Sequence, residues 1–131
     1  MADGTSKPPL GADPAIRPLI DEEYLADLLG EDSADLAEAL EAAAVEDSER
    51  AFTALRTAAT AGDAPTAQSA AHALKGTGSS LGMTKFSELA LIMMTSAAQG
   101  TVPDTAAVDA LAQLWEESMD ALRRAMRPQA A

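Results

Sequence analysis

The sequence predicts an all-α protein, and three observations carry that prediction. Apolar residues recur at i, i+3, i+4 and i+7 over most of the chain. No β-branched run alternates apolar with polar residues as a half-buried strand would. Glycine and proline divide the pattern into segments of helical length. Four long segments with short connections pack most economically as an antiparallel four-helix bundle, with a short additional N-terminal helix across one end.

Residues 1–17 are rich in proline and glycine and offer little to bury, so they read as a flexible leader. From Pro18 the stretch "IDEEYLADLLG" places Ile20, Tyr24, Leu25, Leu28 and Leu29 near one face of a short helix, with acidic residues in its first turn and Gly30 beyond its last. The second helix starts at a capping Asp32 or Ser33, carries Leu36, Leu40, Ala44, Phe52, Leu55 and Ala59 at helical spacing, and stops at Gly62. Asp63 caps the third, Pro65 fits its first turn, and Gly82 closes it with a residue that reaches positive φ cheaply. The fourth helix buries Phe86, Leu89, Ala90, Met93 and Ala97 and ends before Gly100. In the fifth, Val108, Leu111, Trp115, Met119, Leu122 and Met126 form the apolar face, and Arg123, Arg124 and Arg127 sit near the negative end of the dipole. The bundle domain is thus expected over residues 18–127, followed by a disordered 128–131.

Composition narrows the function. With 131 residues there is room for one domain. The absence of cysteine rules out disulfides, thiolate nucleophiles and cysteine-ligated metals, and points to the cytoplasm as the default compartment. A formal charge of −12 repels nucleic acid and anionic membranes, so neither is an expected partner. No apolar run approaches the roughly 20 residues of a membrane span. A single histidine and no calcium-loop spacing among the carboxylates leave no expected metal site.

The chemistry concentrates in "AHALKGTGSSLG", residues 71–82, which holds the one histidine and three of the eight glycines. Each interior glycine costs a helix about 1 kcal/mol relative to alanine, so their presence beside His72 needs a reason. At about 100° per residue, Ala67, Ala70, Leu74, Thr77 and Leu81 define the buried side of this helix. His72 falls nearly opposite, on a stripe with Gln68, Lys75, Gly76 and Ser79. Gly76, one turn on, leaves the imidazole open to a large partner, and Lys75 at i+3 can offer charge and hydrogen bonds to an anion carried on the ring. An imidazole in water titrates near about 6.5, so at neutral pH much of it is neutral and nucleophilic and can accept a phosphoryl group. Gly78 points toward the packed flank, where a close helix contact is expected. The same run does not make a dinucleotide loop, because its third glycine is one place late and no strand precedes it.

These residues resemble the signature of histidine-containing phosphotransfer domains, His-x-Leu-Lys-Gly followed by small residues and a glycine, with His72, Leu74, Lys75, Gly76 and Gly82 in place. The similarity extends from about Ile20 to Met126, through "IDEEYLADLLG", "GDAPTAQSAAHALKG" and "FSELA". In one departure, Met93 and Met94 stand where the family often has a Leu-Glu pair late in the fourth helix, which changes a polar detail of that helix but not the phosphoryl site; both read as packing residues and not as cofactor ligands. The resemblance implies a bundle whose exposed histidine is phosphorylated on a ring nitrogen, usually Nε2, and exchanges that group with an aspartate of response-regulator receiver domains in two-component phosphorelays. It casts His72 as phosphoacceptor, Lys75 as the group steadying the phosphoryl oxygens and Gly76 as the point of admission, with Gln68 and Ser79 as further partner contacts.

On this reading the chain is a phosphocarrier and not an enzyme with its own kinase domain, since no nucleotide motif is present. It needs no cofactor of its own, because the receiver brings the Mg²⁺ and the acidic pocket. Its partners are receiver domains and a hybrid or histidine kinase, and it is expected to be a monomer. Two alternatives stand beside it: a helical adaptor or inhibitor that binds a kinase or receiver without carrying phosphate, and a dimeric bundle resembling the dimerisation region of sensor kinases.

Overall fold

A computed structural model describes residues 19–30 and 34–126. Five helices follow one another: α1 (Glu22–Leu29), α2 (Ala34–Ala61), α3 (Ala64–Ser80), α4 (Thr84–Ala98) and α5 (Thr105–Met126), with no strand among the described residues. This is the expected all-helical bundle with a short helix before it. The expected leader, the Asp32 or Ser33 cap and residues 128–131 lie outside the described residues.

Neighbouring helices in the chain run antiparallel, as their cross-contacts show. Gly78 of α3 abuts Phe86 and Ser87 of α4, while six residues earlier His72 meets Met94. Between α2 and α5 the order reverses in the same way: Arg56 bonds Asp109 at 2.6 Å and Glu41 bonds Arg123 at 2.7 Å. The Glu41 carboxylate also holds the Arg123 guanidinium above its usual pKa, chiefly through that hydrogen bond.

Local chemistry sets the boundaries. The Asp21 carboxylate accepts from the Tyr24 N–H at 3.0 Å and starts α1. Asp63 caps α3 by accepting from the Thr66 N–H at 3.2 Å and from its hydroxyl at 2.6 Å, and these bonds lower the Asp63 pKa. At the other end of α3, Gly82 takes φ +73°, the Met83 N–H donates back to the Gly78 carbonyl, and the Gly82 N–H donates to Ser79. That pair of bonds is the left-handed helix stop for which glycine is suited, and Met83 beyond it is fully buried.

The core lies between the four long helices, α2 to α5. Phe86 is fully buried, its ring centroid 6.4 Å from that of Phe52 and 5.1 Å from that of Trp115. Aromatic pairs in this range add about 0.5–1.5 kcal/mol to the gain from area burial. Around them pack Leu55, Leu74, Val108, Met119 and Leu122, all inaccessible to solvent or nearly so.

Two details differ from the periodicity. On α1 only Leu25 is buried, while Tyr24 and Leu28 are exposed at 40% and 39%. A helix of eight residues lying across the bundle end has one contact line, so the apolar set cannot all face inward. On α2, Leu36 is exposed and full burial begins only at Ala44, because the 28-residue helix extends past its shorter neighbours α3 and α5.

Candidate functional site

The site is built on the outer face of α3. Its inner face, Ala67, Ala70, Ala71, Leu74 and Gly78, is buried, and four of those five side chains are a methyl group or less. Small residues let α2 and α4 approach closely, which fixes the helix that carries His72. Gly78 carries the tightest contact: a Cβ there would meet Phe86 Cδ2 at 2.7 Å and Ser87 Oγ at 2.8 Å. The expected close helix contact is therefore present.

His72 is exposed on the opposite face, together with Gln68, Gly76 and Ser79. Lys75 belongs to the same stripe but is half-buried. A Cβ on Gly76 would meet nothing within 4 Å, so open space adjoins the imidazole one turn away. On one side of the histidine a groove toward α2 is lined by Leu40, Ala43, Asp47, Gly76 and Ser80. On the other, a depression is lined by Tyr24, Lys75, Ser79, Ser87 and Leu91. Of the stripe residues, Gln68 lines neither.

Side-chain bonds hold the end of α3 beside the site. The Ser80 hydroxyl donates to the Gly76 carbonyl at 2.9 Å and that of Thr77 to Ala73 at 3.0 Å. Ser79 reaches across to Ser87 on α4 at 3.3 Å, so its hydroxyl already has a partner within the bundle. The Tyr24 hydroxyl donates to the Ser80 carbonyl at 3.1 Å, and the Asp21 N–H donates to the Gly82 carbonyl at 2.8 Å; together they dock α1 against the same corner.

Sequence reasoning missed Met94. Its sulfur lies 3.1 Å from His72 Nδ1, so one of the two methionines read as packing touches the imidazole itself. It also missed that Tyr24 and Leu91 expose apolar surface beside Lys75. Helical periodicity assigned Tyr24 to the core face, and only the docking of α1 on the end of α3 turns it outward.

A rigid bundle that offers one imidazole to solvent, with bare backbone on one side and an ammonium at i+3, defines a class: a helical module that presents a histidine to another macromolecule. Residues 23–125 match the family model of the Hpt domain, and the chain belongs to that family. Hpt domains serve histidine phosphotransfer in two-component phosphorelays, where they act as phosphocarriers and not kinases and interact with kinases and receiver domains. No curated protein and no solved structure matches the chain. Among the described residues no helix is long and apolar enough to cross a membrane.

Proposed function

We propose that His72 is the phosphoacceptor of this chain and that it exchanges a phosphoryl group with the aspartate of a response-regulator receiver domain. The observation that carries this reading is the exposed imidazole beside the open space at Gly76. In transfer to the chain, the Nε2 lone pair forms the N–P bond as the P–O bond to the aspartate breaks, and the electron pair leaves on the carboxylate. Little machinery is needed on the histidine side, because in-line placement and neutralisation of charge do most of the work. Lys75 supplies an ammonium at i+3 for the phosphoryl oxygens, and its half-burial against the Tyr24 and Leu91 depression limits the orientations open to it. Gly76 allows the receiver backbone to approach; Gln68 and Ser79 lie at the edges of the contact. The Mg²⁺ required for phosphoryl chemistry belongs to the receiver. The chain works in this role as a monomer in the cytoplasm.

The test is direct. Mixed with a phosphorylated receiver and Mg²⁺, the protein is expected to gain an acid-labile, base-stable phosphate, and His72→Gln to lose it with its helical circular dichroism intact. Labelling that persists in His72→Gln would overturn the assignment. Tight receiver binding without any labelling of the wild type would instead establish the adaptor reading.

A further inference from the structure

The contact between His72 and Met94 fixes more than a position. A thioether sulfur carries no hydrogen and can act only as an acceptor. At 3.1 Å the pairing of Nδ1 with Sδ is a hydrogen bond only when the proton of the neutral imidazole sits on Nδ1. The neutral ring has a single N–H, so its other nitrogen, Nε2, then bears the free lone pair. In water, imidazole side chains favour the opposite arrangement, with the proton on Nε2 and the lone pair on Nδ1. We propose that Met94 is a positioning residue that selects the Nδ1–H tautomer of His72 and thereby makes the distal, solvent-facing nitrogen the nucleophile.

The architecture supports a fixed role for the sulfur. Met94 sits near the C-terminal end of α4, half-buried, and reaches the ring across the α3/α4 interface. That interface is locked in register a few turns away by Gly78 against Phe86 and by the bond from Ser79 to Ser87. The ring is held from the Nδ1 side by a soft, unbranched side chain, while the groove on the Gly76 side stays open. Proton accounting is simple. When Nε2 takes the phosphoryl group, the Nδ1 proton stays where it is, directed at the sulfur, and passes to water when the ring later loses its charge. Thioether sulfur is too weak a base to remove it, so Met94 orients the ring without acting as a base.

This inference rests on His72 being the phosphoacceptor, but its first readout does not. With ¹⁵N-labelled histidine, the two-bond proton–nitrogen correlations of the single imidazole report which nitrogen carries the proton at a pH of about 9, where imidazole is neutral. The wild type is expected to show the proton on Nδ1. Met94→Leu, similar in volume and without an acceptor, is expected to shift the tautomer ratio toward Nε2–H by about fivefold, the equilibrium worth of one modest hydrogen bond. Transfer from a phosphorylated receiver should slow by no more than that factor, because its rate follows the fraction of Nδ1–H ring and not the ratio of the two forms. Met94→Glu, also unbranched and, once ionised, able only to accept, is expected to restore the Nδ1–H tautomer. A wild-type ring protonated on Nε2, or a ratio unmoved in Met94→Leu, would overturn the role of Met94 whatever the transfer assay shows. A correct tautomer shift in a protein whose His72 never takes phosphate would leave the positioning intact and overturn the phosphoacceptor reading instead.

Discussion

Gly76 and Gly78 stand two residues apart on one helix, and the structure gives them opposite reasons to exist. A Cβ at position 76 meets nothing within 4 Å; at position 78 it would lie 2.7 Å from the Phe86 ring and 2.8 Å from Ser87 Oγ. Alanine at either site recovers up to about 1 kcal/mol of helical propensity. Gly76→Ala should therefore raise stability by about 0.5–1 kcal/mol, and a 1 kcal/mol gain raises the melting temperature of a domain this size by roughly 4 °C. Gly78→Ala gains the same propensity but must displace a ring wedged between Phe52 and Trp115, and such overpacking costs about 1–3 kcal/mol. Its net effect is destabilising. Urea denaturation with a common slope separates the two variants. A Gly78→Ala protein as stable as the wild type, or a Gly76→Ala protein that is weaker, would refute the assignment of packing to one glycine and access to the other. Transfer rates complete the test: Gly76→Leu, also a good helix former, should fold at least as well as the wild type and accept phosphate about tenfold more slowly, since a clash of about 1.4 kcal/mol or more in the docked complex corresponds to that factor. Equal loss of stability and transfer would show that Gly76 serves packing after all.

Two further expectations concern the scaffold. The Ser118 hydroxyl is fully buried on α5 without a hydrogen-bond partner; Ser118→Ala should stabilise the protein by about 1 kcal/mol in thermal melts, and a fall in stability would mean that the hydroxyl is satisfied in solution. The Asp63 pKa lies below the ordinary carboxylate value because Thr66 donates to it twice. A depressed folded-state pKa means that the contribution is present above the unfolded value and is lost as pH falls through the folded one. Asp63→Ala should accordingly be less stable than the wild type at neutral pH, and the gap should close below about pH 4, the ordinary range of a carboxylate; a gap independent of pH would show that the charge is not involved.

How far the fold could be read in advance follows from what periodicity measures. It reports the direction in which each side chain leaves its own helix, so α4 and α5, packed along their length, matched their expected faces at Phe86, Ala90 and Ala97 and at Val108, Leu111, Trp115, Met119 and Leu122. It carries no information on where a neighbouring helix stops. Leu36 repeats the spacing of Leu40 and Ala44 and yet is exposed, because α2 outruns its partners. Tyr24 shares a face with Leu25 on a wheel, but α1 touches the bundle at its end, and the phenol lies over Gly82 with its hydroxyl on Ser80.

The same limit explains the site. The exposure of His72, Gln68, Gly76 and Ser79 depends on α3 alone, and one helix at about 100° per residue suffices to place them. The pairing of His72 with Met94 depends on the register between two helices, which a wheel does not contain. Register is nonetheless set by chemistry visible in the sequence. The glycine stop at Gly82 forces α4 to begin at Thr84, and the close approach at Gly78 then fixes Phe86 and Ser87 as its opposite numbers. In antiparallel helices with equal rise, each step back along α3 is matched by a step forward along α4. His72 stands six residues before Gly78, and a step of six to eight from Phe86 falls between Ile92 and Met94, of which Met94 is the residue that meets the ring. The glycine in contact with the core and the glycine at the turn therefore do for the sulfur what Leu74 and its neighbours do for the histidine: they determine which side chain stands next to the imidazole. Inserting one residue within α4, between Phe86 and Met94, would turn Met94 by about 100° relative to Phe86 and carry it away from the ring while leaving His72 exposed, which separates the two requirements of the site, presentation and orientation, into properties of different elements.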